Sequence, residues 1–252
     1  MSKVKDRTGG ELSDQFDRAS GRYDLLTRLN PGYHAALRRA AAELVGRLQT
    51  GMPRPLTLWD LGCGSGLSTR ALLDAAGEDV RIVGLDASAG MLAQARAKAW
   101  PAGVSFVQGM AQDLPELATD AGMGPADGAF AAYLMRNVPE DQRDEVVAEI
   151  RDQVRPGGWI ALQDYHVKGD RRASAVWTAV CWGVVTPLAV VVRGNPAIYR
   201  YLWRSVLAND STAELQGRLE RAGLVDISWR TAGGWQRGIL HTLIAHKPEV
   251  PR

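Results

Sequence analysis

The chain has 252 residues, 46% of them apolar, and its 30 Lys and Arg against 28 Asp and Glu leave a net charge of +2. That length and apolar share suit one large α/β domain with a full core. The balanced charge and the absence of a basic run longer than Arg38-Arg39 or Arg171-Arg172 speak against nucleic-acid binding.

The first residues, MSKVKDRTGGELSDQF, are polar and lack the apolar stretch of a signal peptide. With only two cysteines, Cys63 and Cys181, this composition predicts a chain in a reducing cytoplasm. Helical patterns follow at about 12–29 and 33–48, parted by the turn Asn30-Pro31-Gly32. They precede the first strand and are expected to form an N-terminal helical extension over residues 1–50, placed to lie across a ligand edge.

From there β-branched or apolar runs alternate with helical patterns, the signature of βαβ units and a mostly parallel sheet. The first strand, 56–62, enters the run Asp60-Leu61-Gly62-Cys63-Gly64-Ser65-Gly66, and a helix over 67–76 follows. Glycines between a strand and a helix allow a sharp turn and close approach of backbone to a ligand. A dinucleotide-binding turn would need a further glycine where Leu67 stands. A carboxylate at Asp60 would also oppose a pyrophosphate, whereas it suits the cationic amino end of a methionine-like ligand. Both features favour S-adenosylmethionine over NAD.

The second strand, 81–86, ends in Asp86, 22 residues after Gly64, where a carboxylate can accept from both hydroxyls of a ribose. After a helix over 88–99 come strands at 104–108 and 128–134. A helix beyond Pro139 buries Val146, Val147 and Ile150 on one face and stops at Pro156-Gly157-Gly158, and a fifth strand spans 159–164. Then Ala173 to Val192 runs twenty residues without a charge, between Arg172 and Arg193. Its length is that of a membrane span, but Pro187 would break such a helix. A buried core helix and an apolar cap over a greasy substrate or membrane surface are the other readings. Helices at 196–207 and 212–222 and a closing hairpin at 225–229 and 239–245 complete a seven-stranded, doubly wound, Rossmann-like sheet. The expected organisation is a core over 51–168, an apolar helical cap over 169–210, and a C-terminal helix with closing strands over 211–252. Ligands in such sheets bind beyond the carboxyl ends of the strands, where the glycine turn lies.

The strand ending in D-x-G-x-G-x-G, the acid closing the next strand, GLDASAGMLAQARAKA at 84–99 and MRNVPEDQRDEVVAEIRDQVRPGGWIALQDY at 135–165 resemble the class I methyltransferases. FDRASGRYD at 16–24, the run Leu134-Met135-Arg136-Asn137-Val138, NPAIYRYLWRSV at 195–206 and RAGLVDISWRTAGG at 221–234 resemble the UbiE/MenG group, the C-methyltransferases of ubiquinone and menaquinone synthesis. The chain departs from that group at Met110, at Asp164-Tyr165, in a longer loop from Pro115 to Pro125, and in the GGWQR insertion before the last strand.

The resemblance implies a methyltransferase that uses S-adenosylmethionine on a lipophilic, polyprenylated quinol or a similar aromatic acceptor. It implies a cofactor site of Asp60, Gly62, Gly64, Gly66 and Asp86, with Thr69 on the methionine carboxylate and Met91, Met110 and Ala111 against the adenine. Tyr23 would close over the cofactor. Arg136 and Asn137, at the exit of the fourth strand, are placed to stabilise a phenolate or to orient a water, and His241 resembles a family histidine. His34, Asp24, Asp164 and His166 remain further candidates for proton transfer. Trp177, Trp182, Tyr199, Tyr201 and Trp203 would wall an isoprenoid-bearing ring. Methylation of a specialised metabolite at O, N or C, and cofactor binding without methyl transfer, are alternatives. No metal-ligand spacing is visible. Peripheral membrane contact is compatible with the apolar stretch, and the oligomeric state stays open, a homodimer included.

Overall fold

The computed structural model describes residues 32–50, 54–187 and 196–249. Seven strands form one sheet in the order β3-β2-β1-β4-β5-β7-β6. They are β1 (Leu56–Leu61), β2 (Val80–Asp86), β3 (Val104–Gln108), β4 (Ala126–Ala132), β5 (Val154–Tyr165), β6 (Val225–Thr231) and β7 (Leu240–His246). The first five pair in parallel, and β7 enters antiparallel between β5 and β6.

Central strands covered on both faces need apolar side chains in both directions. LTLWDL meets that demand by alternation. Leu56 and Leu58 join the core on one face, with Ile82, Phe130 and Ala161. Trp59 and Leu61 join the core on the other, with Val83, Leu85, Ala129 and Leu162. The first face is covered by α1 (Tyr33–Gln49) and α2 (Leu67–Ala76). The second is covered by α4 (Leu114–Asp120), α5 (Arg143–Asp152) and α8 (Thr212–Arg221), while α3 (Ala89–Arg96) follows β2.

Helix α1 begins at Gly32 and repeats Leu37, Ala41, Leu44 and Leu48 at helical spacing. All four are buried, so residues 33–49 of the expected extension lie along the sheet against α2 and β5. Each buried leucine contributes about 1.5–3 kcal/mol, enough to hold this helix to the core. The earlier expected helix, 12–29, lies outside the described residues.

Two elements differ from expectation. The stretch after Pro115 is helical rather than a loop, because proline is compatible with the first turn, where its missing N–H would be unpaired anyway. Strand β5 starts at Val154, before Pro156-Gly157-Gly158, through a pair with Ala126 and a register shift before Gly128. A side chain at Gly158 would sit 2.5 Å from the Asp127 carbonyl, so the glycine that reads as a stop is a close crossing of two strands.

Helix α6 (Arg171–Val180) runs into a π-helical turn, Cys181–Val185. It buries Ala173, Trp177 and Cys181 and turns Val176, Trp182 and Val184 outward. The described part of the uncharged stretch is thus a half-buried surface helix, and residues 188–192 lie outside the described residues. No helix among the described residues is long and apolar enough to cross a membrane. Helix α7 (Pro196–Leu207) packs beside it, with Trp203 Nε1 donating to Thr178 Oγ1 at 3.1 Å.

Candidate active site

The order of the sheet reverses direction between β1 and β4, which opens a crevice beyond their carboxyl ends. A cavity of about 540 Å³ occupies it. One end is formed by Gly62, Gly64, Asp86, Met91, Met110 and Ala111, and the other by Arg136, Asn137, Arg143, Tyr201, Arg204 and Ser205.

The first end is built by the glycine turn. Gly62 and Cys63 donate to the Leu85 carbonyl at 2.7 and 3.0 Å, so the turn folds back over the end of β2. Gly64 has φ +55 and donates to Asp86 Oδ2 at 2.8 Å. A Cβ there would lie 3.1 Å from the Met91 methyl, so glycine leaves the cavity floor clear. Gly66, at φ +85, starts α2, and a Cβ on it would strike the Trp100 ring at 2.8 Å. The opposite oxygen of Asp86 accepts from Ser88 N at 2.9 Å, while Ser88 itself caps α3 by accepting from Met91 N. Asp86 is therefore not the helix cap, and its carboxylate is aimed at the turn and the cavity.

Asp60 is fully buried beneath the turn and does not line the cavity. Its Oδ2 accepts from Ser68 Oγ at 2.8 Å and Thr69 Oγ1 at 2.5 Å, pinning the first turn of α2 to the end of β1. Burial pushes the carboxyl up to about 7, against the opposing pull of those two hydroxyls. Its Oδ1 is buried with no protein partner among the described residues. Thr69, expected on a methionine carboxylate, is likewise buried and faces Asp60.

At the far end the chain leaves β4 through Tyr133, which holds φ 61. A bulky residue in that region costs on the order of 1–3 kcal/mol and persists only where its surroundings demand it. Here its ring stacks on Tyr33 at 5.0 Å and lies 5.3 Å from Tyr165, which in turn stacks on Trp177. Its carbonyl accepts from Arg136 Nη1 and, at 3.1 Å, from Asn137 Nδ2. Asn137 Oδ1 then accepts from the Tyr201 hydroxyl at 3.2 Å, tying α7 to the loop after β4. Burial raises the Tyr201 phenol, partly countered by Arg136, so it stays a neutral donor. Asp164 sits behind this loop. Its Oδ2 accepts from Arg136 N at 3.0 Å, and its Oδ1 lies 3.9 Å from the Arg136 guanidinium.

Arg143 reaches the same cavity, but its guanidinium is held by Asp210 at 2.8 Å and donates to the Val138 carbonyl. Arg218 binds Asp210 as well, so the wall is anchored to α8.

The structure thus gathers Gly62, Gly64, Asp86, Met91, Met110, Ala111, Arg136 and Asn137 around one cavity. It places Asp60, Gly66 and Thr69 in the supporting layer, and it sets His241 apart. His241, on β7, is buried beside Trp229 and His166, and desolvation followed by the neighbouring imidazole lowers it to about 4. His166 carries its proton on Nδ1, donated to the Asp210 carbonyl at 2.7 Å. Tyr23 and Asp24 lie outside the described residues, as does the Tyr199 side chain. Of the expected aromatic wall, Tyr201 lines the cavity, Trp177 is buried in the core, and Trp182 is exposed. Sequence reasoning missed Tyr133, for which no local signal exists because aromatic residues avoid its backbone conformation. It also missed Arg143, Arg204 and Ser205; a helical face of Tyr201, Arg204 and Ser205, spaced by three and four, was the available signal for the last two. Among the described residues, no three His, Cys, Asp or Glu converge on a possible metal position.

Residues 59–158 match the family model described as a methyltransferase domain. The chain is 32% identical over 230 residues to a demethylmenaquinone methyltransferase of Mycolicibacterium vanbaalenii, covering 89% of this chain and 90% of that one. It is 29% identical to the ubiquinone/menaquinone biosynthesis C-methyltransferase UbiE of Methylobacterium nodulans, covering 91% and 88%. A Burkholderia thailandensis 1,6-didemethyltoxoflavin-N1-methyltransferase, solved with S-adenosylhomocysteine, shares the fold at TM-score 0.61 and 17% identity over 95% and 89% of the two chains. Fold, crevice and turn define a class I methyltransferase whose cofactor is S-adenosyl-L-methionine. Within that class, the chain belongs to the UbiE and demethylmenaquinone methyltransferase family.

Proposed function

We propose that the enzyme methylates a ring carbon of a lipophilic quinol, or of a closely similar polyprenylated aromatic. The observation that carries this reading is one continuous cavity with a nucleoside-fitting end at Gly64 and Asp86 and a cationic, hydrogen-bonding end at Arg136, Asn137 and Tyr201. The names of the relatives point to the same acceptor class.

The residues of the first end fit the cofactor. Asp86 retains lone pairs for ribose hydroxyls, Gly62 and Gly64 leave room for close backbone contact, and Met91, Met110 and Ala111 offer an apolar face for the adenine. Beneath them, Asp60 holds the first turn of α2 through Ser68 and Thr69 and so fixes the glycine turn that shapes this end. When bound, the cofactor supplies an electrophilic methyl on a sulfonium, which is already a good leaving group.

Catalysis by this chain is then mainly positioning, together with activation of the acceptor. A ring carbon becomes nucleophilic when an adjacent hydroxyl ionises. Arg136 provides positive charge for that oxygen, within a loop held by Asp164 and the Tyr133 carbonyl. Asn137 is fixed between Tyr133 and Tyr201, and Tyr201 keeps oxygen lone pairs to accept from the acceptor's hydroxyl. His241 is not among the residues that line the cavity and is depressed to about 4, so this scheme gives it no part. The enzyme would act in the cytoplasm, receiving its acceptor by peripheral contact with a membrane surface.

The test is turnover with a reduced and an oxidised demethylquinone of the same side chain. The expected result is S-adenosylhomocysteine release only with the quinol. Equal turnover of an O- or N-nucleophile that lacks a quinol ring would refute the acceptor reading.

A further inference from the structure

Three arginines line the acceptor end of the cavity, and their surroundings differ. Arg136 lies 3.9 Å from Asp164, and Arg143 is held by Asp210 at 2.8 Å. Each of these two guanidinium groups is balanced by a buried carboxylate that does not itself line the cavity. Arg204 is exposed, and no carboxylate among the described residues forms an ion pair with it, although Glu140 lines the cavity too. It is thus a cation presented to the cavity without a built-in counter-charge. One residue further on, Ser205 is buried and also lines the cavity. Its hydroxyl donates to the Leu202 carbonyl at 3.1 Å, which engages its proton and leaves oxygen lone pairs to accept.

Tyr201, Arg204 and Ser205 stand at i, i+3 and i+4 on α7, so they share one face, and the step from Tyr201 to Ser205 advances about 6 Å along the axis. The Tyr201 end of that span is tied to Asn137. A quinol carries two oxygens, para to each other across one ring and separated by close to the pitch of a helical turn. Arg136, Asn137 and Tyr201 attend to one of them. The second enters the cavity with a hydrogen to donate and lone pairs to fill, and a hydroxyl taken from water without partners weakens binding. Ser205 and Arg204 supply both halves of its demand. The serine oxygen accepts from the O–H, and the guanidinium donates to the lone pair. Ala208, the next cavity-lining residue along α7, adds no competing polar side chain.

We infer that Arg204 and Ser205 form the subsite for the second oxygen of the acceptor ring, so that the enzyme grips a para-dihydroxylated ring at both ends and selects it over a monohydric phenol. This rests on the quinol reading and assigns residues to the oxygen that reading leaves unattended.

The test titrates two rings with the same short prenyl chain, a demethylquinol and its analogue with hydrogen in place of the distal hydroxyl, anaerobically into enzyme saturated with S-adenosylhomocysteine. This complex cannot turn over, so the analogue's weaker nucleophilicity does not enter. The parent should bind the quinol about tenfold or more tightly than the analogue, because one of the two bonds involves a charged donor. Arg204→Gln should weaken the quinol roughly tenfold and Ser205→Ala roughly fivefold, while each binds the analogue and S-adenosylhomocysteine within about twofold of the parent. Arg204 faces solvent, so its replacement leaves the core untouched, and retained S-adenosylhomocysteine affinity reports the integrity of Ser205→Ala. A parent that binds both rings equally would overturn the subsite and leave the quinol reading standing. So would variants that weaken both rings alike, or neither. A parent that binds S-adenosylhomocysteine but neither ring would refute the quinol reading, and the subsite with it.

Discussion

Replacing Asp164 with asparagine should destabilise the enzyme and disable its chemistry while sparing cofactor binding. Both carboxylate oxygens already accept from N–H groups, Oδ2 from Arg136 and Oδ1 from the backbone of Tyr165 at 2.8 Å. An amide has one acceptor oxygen, so in either orientation its NH2 faces a backbone donor. The substitution also removes the negative charge beside Arg136, and the two side chains are only 8% and 2% exposed. Breaking a buried pair costs about 3–5 kcal/mol, and the retained bond from Arg136 to the Tyr133 carbonyl places this case near ~3 kcal/mol. For a domain of this size, ~2–4 °C of melting temperature accompanies each kcal/mol, so a drop of ~6–12 °C is expected. The assay pairs thermal denaturation with steady-state kinetics. The predicted outcome is a kcat lowered roughly tenfold or more, a gap of ~1.4 kcal/mol, with S-adenosylhomocysteine affinity unchanged. An Asp164→Asn enzyme that melts within ~2 °C of the parent and turns over normally would refute the role given to this carboxylate.

Asp86→Ala should weaken S-adenosylhomocysteine roughly 100-fold or more, since two charge-assisted bonds to a ribose contribute about 1.5–3 kcal/mol each; calorimetry showing a change below about threefold would exclude the ribose role. Tyr201→Phe removes the hydroxyl that fixes Asn137 and should lower kcat/KM about fivefold, the equivalent of ~1 kcal/mol, with cofactor affinity intact. Asp60 binds its proton more tightly folded than unfolded, because burial holds it near 7 against an ordinary 3.8. Its contribution to the cofactor-free protein is therefore largest at low pH and is lost as pH rises through about 7. The stability of Asp60→Asn relative to the parent should accordingly improve across that interval, and parallel melting curves from pH 4 to pH 7 would contradict the assignment.

Much of the fold was legible because its signals are local. The run from Leu56 to Gly66 shows a strand, a turn and a helix start by alternation and glycine spacing alone, and Leu37, Leu44 and Leu48 announce a helix with one buried face. Asp86 was legible too, as an acid at a strand end. What escaped depends on contacts distant in sequence. Gly158 reads as a terminator, yet it is required because the Asp127 carbonyl crosses there. Tyr133 holds its strained backbone through rings contributed by Tyr33 and Tyr165. Asp60 and Thr69 are near neighbours in sequence, but only the geometry places them against each other, beneath the turn instead of on the cavity surface. The position of His241, paired with Asp164 on β5 and behind the cavity wall, follows from strand order, which alternation alone does not specify.

The most direct measurement of the central claim uses methyl-labelled S-adenosylmethionine with a polyprenylated demethylquinol, followed by mass analysis of the extracted lipid. The account predicts a labelled quinol carrying one additional methyl on a ring carbon, formed with an equal amount of S-adenosylhomocysteine and lost in Arg136→Ala. Label appearing on oxygen or nitrogen, or turnover that survives Arg136→Ala undiminished, would contradict it.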